Sequence, residues 1–138
     1  MQIRQLANAL NISTESIRYY EKEGLLTAPA RADNGYRIYQ QSHLEQLAFI
    51  KHCRLLDISM ADTGRLLAFT LKPEADCAGI NVLIDEQITR VQQHLASLQA
   101  LEKQLKKLRC QCEANDSVAH CGILQELIAA AHGKIDVP

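Results

Sequence analysis

A stripe of apolar residues in the second half of the chain most constrains its fold. These residues recur at steps of three and four over about seven helical turns, at Ile84, Ile88, Val91, Leu95, Leu98, Leu101, Leu105 and Leu108. Such spacing is typical of a helix whose apolar seam packs against a partner helix. The remaining tail is too short to cover so long a seam, and we expect a second copy of the chain to cover it. The stripe therefore predicts a homodimer joined by long coiled-coil helices.

The segment before residue 41 predicts a helix-turn-helix followed by a small β-wing. Apolar residues lie at helical spacing at Ile3, Leu6, Ala7 and Leu10, and the inward face of the next helix would include Ile17 and Tyr20. Ser13 is suited to cap that second helix, which we expect to end at Gly24. In residues 32–40, ADNGYRIYQ, Asn34 and Gly35 supply the positive-φ pair of a tight hairpin turn.

Two cap patterns predict a second pair of helices. Ser42 with Glu45 forms a capping box for a third helix that would end near Leu56. Ser59 with Asp62 repeats the pattern for a fourth helix, near residues 60–71, which Pro73 would stop.

The second helix and the wing carry candidate DNA contacts. Residues near the start of a recognition helix face base edges or phosphates, and these are Thr14, Ser16, Arg18 and Tyr19, with Arg37 and Tyr39 after the wing turn. The alternative is an ordinary amphipathic helix and a ribbon with solvated polar faces. The whole chain has a formal net charge of −1, and residues 1–72 contain nine Lys and Arg against seven Asp and Glu. Charge supports DNA binding only weakly, whereas a helix-turn-helix with a wing favours it.

Three cysteines and a histidine lie within the twelve residues CQCEANDSVAHC, from Cys110 to Cys121. No secretory leader is visible, and no run approaches the roughly 18 apolar residues of a membrane span, so we expect reduced thiols inside the cell. Thiolates are soft ligands for zinc, cadmium, mercury, lead or copper(I), and the loop between Cys112 and Cys121 can fold around one ion. The alternative is three unrelated thiols.

Other Cys and His residues have more than one interpretation. His120 is either a further ligand or a solvated loop histidine. Cys110, two positions before Cys112, is either a spare thiol or an auxiliary ligand. Cys53 lies in a helical pattern and is interpreted as a small core residue.

The segments IRQLANALNISTESIRYYEKEGLL and NGYRIY, followed by a helix pair and a long helix, resemble the MerR family of bacterial transcription regulators over nearly the whole chain. The resemblance implies a mainly α fold with three parts: a winged helix-turn-helix (1–72), a linker and antiparallel coiled-coil helix (73–109), and a metal-binding loop, short helix and tail (110–138). The neighbourhoods of Cys77, LRCQC and HCGILQ are similar to the cadmium- and lead-responsive branch. Matched by position, the implied DNA contacts are Arg18, Tyr19, Tyr20, Tyr36 and Arg37, and the implied metal ligands are Cys77, Cys112 and Cys121.

The resemblance further implies a cytoplasmic regulator that is not an enzyme and that binds pseudo-palindromic promoter DNA. Metal binding would let the dimer distort that DNA so that RNA polymerase can engage. Three thiolates suit a divalent ion but do not rank cadmium, lead, zinc and mercury. The resemblance makes cadmium or lead the expected effector, with zinc or mercury as the alternatives. A helix from about Asn81 to Arg109 would span roughly 43 Å, so Cys77 and Cys112 of one chain could not share an ion. Antiparallel pairing would bring Cys77 of one chain to Cys112 and Cys121 of the other.

Four rival functions remain at this point. An iron-sulfur redox sensor would need a fourth cysteine in the same segment. An enzyme using Cys121 and His120 would need an orienting group and a pocket. A drug-sensing regulator would need a larger ligand-binding domain, and a structural zinc site would be required for folding.

Overall fold

The computed structural model describes residues 1–112 and 117–134. Their elements are α1 (Ile3–Leu10), α2 (Thr14–Lys22), β1 (Ala30–Arg31), β2 (Arg37–Ile38), α3 (Gln41–Leu55), α4 (Met60–Thr70), α5 (Ala78–Arg109), a 3-10 turn (Val118–His120) and α6 (Gly122–Lys134). The mainly α fold is confirmed, with a winged helix-turn-helix, a second helix pair and a long helix. By contacts along the chain it forms two compact units, Met1–Gln87 and a second unit that begins at Ile88.

The core of the first unit lies where α1, α2, the wing and α3 meet. Its buried residues are Leu6, Ala7, Ile17, Leu26, Tyr39 and Leu47. Each fully buried aliphatic side chain of this kind contributes about 1.5–3 kcal/mol to the hydrophobic driving force. Ser13 caps α2 as predicted, because its Oγ accepts the Ser16 N–H at 3.1 Å.

The wing is a two-stranded antiparallel ribbon in which Ala30 pairs with Ile38 and Arg31 with Arg37. The predicted positive-φ pair at its turn is wrong, because only Gly35, at φ +85°, occupies the left-handed region. Asn34 acts differently: its Oδ1 accepts the Tyr36 N–H at 3.2 Å, which closes the loop by a side-chain contact.

The second helix pair packs through buried Ile50, Cys53, Ile58 and Thr63, which agrees with the core interpretation of Cys53. The Ser59 cap is confirmed, since its Oγ accepts the Asp62 N–H at 3.1 Å. The Ser42 capping box is wrong. Helix α3 begins at Gln41, two residues before the start that a Ser42 cap implies, and the Gln40 N–H donates to His43 Nδ1 at 2.9 Å.

Helix α5 contains 32 residues and begins slightly before the predicted Asn81. Gln87, the tenth residue of α5, donates from Nε2 to the carbonyls of Leu56 and Asp57, at 3.3 and 2.9 Å, and ties this part of the helix to the α3–α4 turn. Six residues of the apolar stripe each expose between 49 and 57% of their surface: Ile88, Val91, Leu95, Leu98, Leu101 and Leu105. The chain itself therefore leaves the seam half open.

Helix α6 has 13 residues and is longer than the one or two turns that the apolar-faced stretch CGILQELIAAAH indicates. Residues 113–116 of the predicted metal-binding loop lie outside the described residues. Among the helices that are described, none is both long and apolar enough to cross a bilayer.

Candidate DNA interface and thiol site

The predicted contact residues of α2 differ in their exposure. Arg18 and Tyr19 are exposed, Tyr19 at 50%, whereas Thr14 and Ser16 are partly buried. Tyr20 packs partly against the core and its ring lies 6.1 Å from that of Tyr19. Of the predicted contacts on this helix, Arg18 and Tyr19 are therefore the most accessible to a duplex.

A groove of about 500 Å³ joins α1, α2 and the wing. It is lined by Gln2, Ile3, Arg4, Arg18, Gly35, Tyr36 and Arg37. Three guanidinium groups thus face one concave surface, and Tyr36, 67% exposed, stands at the wing turn. Guanidinium groups bind phosphate with bidentate geometry, so the groove is suited to a nucleic-acid backbone. Sequence reasoning missed Arg4. The signal that could have identified it is a positive charge on the exposed side of the first turn of α1.

Glu21, on the inner side of α2, links that helix to the wing. Its carboxylate lies 3.3 Å from Arg37 Nε and accepts a hydrogen bond from the Tyr39 hydroxyl at 3.2 Å. Burial, together with the negative charge of Glu21, raises the pKa of Tyr39 to about 12. Sequence reasoning missed Glu21, because periodicity shows neither an ion pair nor a hydrogen bond to the wing.

The prediction that Tyr39 contacts DNA is wrong for this structure. Its side chain is 1% exposed and its hydroxyl is directed to Glu21. Tyr39 follows the alternation of the wing into the core, whereas Tyr36 and the half-buried Arg37 remain accessible.

The first thiol of the predicted metal site, Cys77, is exposed directly before α5. Its carbonyl accepts the Asn81 N–H at 2.9 Å, and Asp76 Oδ1 accepts the Ala78 N–H at 3.0 Å. These bonds satisfy donors of the first turn of α5. Cys77 therefore stands at the N-terminus of a 32-residue helix.

The other two predicted thiols lie together. The Cys112 thiol hydrogen bonds to the Cys121 sulfur, which also accepts the backbone N–H groups of Leu124 and Ile123 at the start of α6. The Leu124 N–H contributes most to lowering the pKa of the Cys121 thiol, and partial burial opposes this shift. The pair thus combines two soft ligands with a site that favours thiolate.

The bonds around this pair fix the adjacent backbone. Arg109 Nη1 donates to the Cys112 carbonyl at 2.6 Å, and the Cys121 N–H donates to the Val118 carbonyl at 3.2 Å. His120 is exposed with Nδ1 2.7 Å from Ser117 Oγ, and Cys110 is exposed in the turn after α5.

One chain does not bring the three predicted ligands together. Within residues 1–112 and 117–134, no three side chains of His, Cys, Asp or Glu lie close enough to hold a metal ion. The structure provides a pair, Cys112 and Cys121, and places Cys77 before the 32 residues of α5. Two thiolates are suitable ligands for a soft ion, but a divalent ion would need at least one further ligand.

Comparison with known proteins gives the family context of these features. A family model described as "MerR HTH family regulatory protein" matches residues 1–70, and one described as "MerR, DNA binding" matches residues 44–108. The chain is 32% identical to the HTH-type transcriptional regulator CueR of Escherichia coli O6:H1, over 97% of this chain and 98% of that one.

Two solved structures are similar over nearly their whole length. PbrR691 from Ralstonia metallidurans CH34, in complex with lead(II), is 36% identical with a TM-score of 0.81, covering 92% of this chain and 98% of its own. The regulator MerR from Bacillus megaterium MB1, in complex with mercury(II), is 28% identical with a TM-score of 0.69, covering 93% and 99% respectively.

Proposed function

Since the chain belongs to the MerR family of DNA-binding transcription regulators, and not to a family of enzymes, we propose that it senses a soft divalent metal ion and activates a metal-resistance promoter. The observation that carries this proposal is the hydrogen-bonded pair of Cys112 and Cys121 after the end of α5, a helix whose apolar stripe is half exposed. The division of labour we propose is DNA binding by 1–72, dimerisation by 73–109 and metal binding by 110–138.

The DNA-binding role is supported by the arginine-lined groove. Arg4, Arg18 and Arg37 provide positive charge on one surface, although the whole chain is slightly acidic. Phosphate contacts of this kind position a regulator, and Tyr19 and neighbouring residues of α2 would read base edges. As a DNA-binding protein it would act in the bacterial cytoplasm, where the promoter and RNA polymerase are found.

A homodimer is supported by the seam of α5. Six large apolar residues that each expose about half of their surface in one chain form a continuous target for a partner helix. A two-fold dimer carries two copies of α2 and would therefore bind a pseudo-palindromic operator.

The number of negatively charged thiolates supports a divalent effector. Two thiolates nearly balance a monovalent ion, whereas a third, from Cys77 of the partner chain, would balance a divalent one. The lead(II) and mercury(II) complexes of PbrR691 and MerR show that regulators of similar sequence and fold bind ions of this class. We expect cadmium or lead as the effector, with mercury or zinc as alternatives.

Activation would follow from a difference in metal affinity between two conformations of the dimer on DNA. When bound, the ion would supply a cross-link between thiol-bearing segments. The thiols of Cys112 and Cys121 would hold it from one chain, and Cys77 from the other, so that only one of the two dimer conformations would bring all three together. That conformation would distort the promoter and let RNA polymerase engage.

A promoter-reporter assay with a panel of metal ions tests this function. Cadmium or lead should induce the reporter strongly in cells that express the wild-type chain and not in cells that express Cys112→Ser. A Lys103→Ala variant, changed at an exposed site of α5, should respond like the wild type. Equal induction by wild-type and Cys112→Ser chains would contradict a metal-sensing role for this thiol.

A further inference from the structure

Gly122 is packed against backbone where any other residue would collide. A Cβ at this position would lie 2.2 Å from the Gln111 carbonyl oxygen, 3.1 Å from its carbon and 3.3 Å from its Cβ. Gly122 is not among the glycines with positive φ, which are Gly24 and Gly35. The residue is therefore required for space and not for its backbone conformation.

The contact joins the two segments that carry the thiols. Gln111 directly precedes Cys112, and Gly122 directly follows Cys121. Arg109 Nη1 holds the Cys112 carbonyl at 2.6 Å, so the segment after α5 is fixed on its own side. On the other side, the Gln125 N–H donates to the Cys121 carbonyl at 3.1 Å and fixes that residue to α6.

We propose that Gly122 is a positioning residue that sets the separation of the Cys112 and Cys121 side chains by letting the Gln111 backbone pack directly against the start of α6. The distance between the two thiols can be tested in the metal-free chain. Its consequence for metal binding rests on the function proposed above.

The collision cannot be relieved by rotating a side chain. The atom in the way belongs to a peptide carbonyl, and an ordinary carbon-oxygen contact is about 3.3 Å, so the two backbone segments must move apart by roughly 1 Å. A metal site tolerates deviations of only about 0.2 Å in its ligand distances. Gly122→Ala should therefore move the two thiols far enough apart to weaken their binding of a shared ion. This effect is expected although Ala is a better helix former than Gly.

Chemical cross-linking of the metal-free protein tests the spacing directly. In the full chain carrying Cys77→Ser and Cys110→Ser, dibromobimane can bridge Cys112 and Cys121 and becomes fluorescent when both thiols react; Cys53 is buried. The ratio of bridged to singly alkylated chain, read by mass spectrometry, should fall in Gly122→Ala, because the two thiols would be held further apart.

The matched control is Gly133→Ala on the same helix, where a new Cβ would have nothing within 4 Å. Its bridging ratio should equal that of the parent chain. Unchanged far-ultraviolet circular dichroism and operator binding without metal would show that Gly122→Ala still folds. A Gly122→Ala chain that bridges as well as the parent would overturn the proposal.

Cadmium affinity, measured by competition with a chelator in chains that keep all five cysteines, separates this proposal from the proposed function. We expect Gly122→Ala to bind cadmium about 10–100-fold more weakly than Gly133→Ala. Reduced bridging with unchanged cadmium affinity would support the positioning role of Gly122 and contradict metal binding by this thiol pair.

Discussion

The Tyr39 hydroxyl donates a hydrogen bond to Glu21 Oε2 at 3.2 Å and so joins the wing to helix α2. The same carboxylate lies 3.3 Å from Arg37 Nε. One acidic residue on α2 thereby orients two residues of the wing, one of them, Arg37, in the arginine-lined groove. The angle between the wing and α2 therefore depends on this part-buried contact as well as on apolar packing.

Burial of Tyr39, together with its contact with Glu21, makes the stability of the fold fall at high pH. The pKa of Tyr39 is raised from 10.0 to about 12 in the folded chain, so its contribution is fully present below pH 10 and is lost as the pH rises through 12. At pH 8, Tyr39→Phe should lower the free energy of unfolding by about 1–3 kcal/mol, because the carboxylate loses a buried donor. Urea unfolding of both chains should show this difference closing between pH 10 and 12. A difference that stays constant across that range would contradict the hydrogen bond.

Loss of Arg4 or Arg18 should weaken DNA binding without affecting metal binding. Each guanidinium lines the groove, and each phosphate contact contributes about 0.9 to the slope of log affinity against log salt concentration. Arg4→Ala and Arg18→Ala should each reduce that slope by about this amount in fluorescence anisotropy titrations. Lys103→Ala removes an exposed charge from α5 and should leave the slope unchanged. An undiminished slope in Arg18→Ala would remove that residue from the interface.

Removal of metal should leave the protein folded and able to bind DNA. The core of the winged helix-turn-helix is formed by Leu6, Ala7, Ile17, Leu26, Tyr39 and Leu47, and contains none of the proposed ligands. After treatment with a chelator, circular dichroism and operator affinity should therefore match those of the untreated protein. Unfolding on chelation would instead favour structural zinc.

Sequence patterns predicted the features that depend on residues close together in the chain. The Ser13 and Ser59 caps and the apolar stripe depend on residues a few positions apart, and the structure contains each of them. The same patterns could not assign Tyr39, because its burial depends on α2 packing beneath the wing. Gly122 is a similar case: the reason for its small size is a carbonyl eleven residues away.

Cys110 should be dispensable for metal binding. The thiol that reaches the Cys121 sulfur is Cys112, two residues further along, while Cys110 is exposed in the turn after α5. Cys110→Ser should therefore keep the cadmium stoichiometry and reporter response of the wild type, whereas Cys112→Ser should lose both. Loss of one bound ion per site in Cys110→Ser, measured by elemental analysis after dialysis, would make Cys110 a ligand.

The central claim is that each metal site uses thiols from both chains of the dimer. Helix α5 runs for 32 residues, or roughly 48 Å, between Cys77 and the turn that holds Cys112. Antiparallel pairing through its half-exposed seam would bring Cys77 of one chain beside Cys112 and Cys121 of the other. A dimer would then contain two three-thiolate sites.

Subunit mixing tests this claim most directly. A Cys77→Ser homodimer and a Cys112→Ser/Cys121→Ser homodimer should each lack a three-thiolate site. Their isolated heterodimer should regain one, with Cys77 from the double variant and the thiol pair from the single variant. Thiolate-to-cadmium charge-transfer absorption should then recover to about half of the wild-type amplitude, because one of two sites is complete. A heterodimer without this absorption would contradict the shared site.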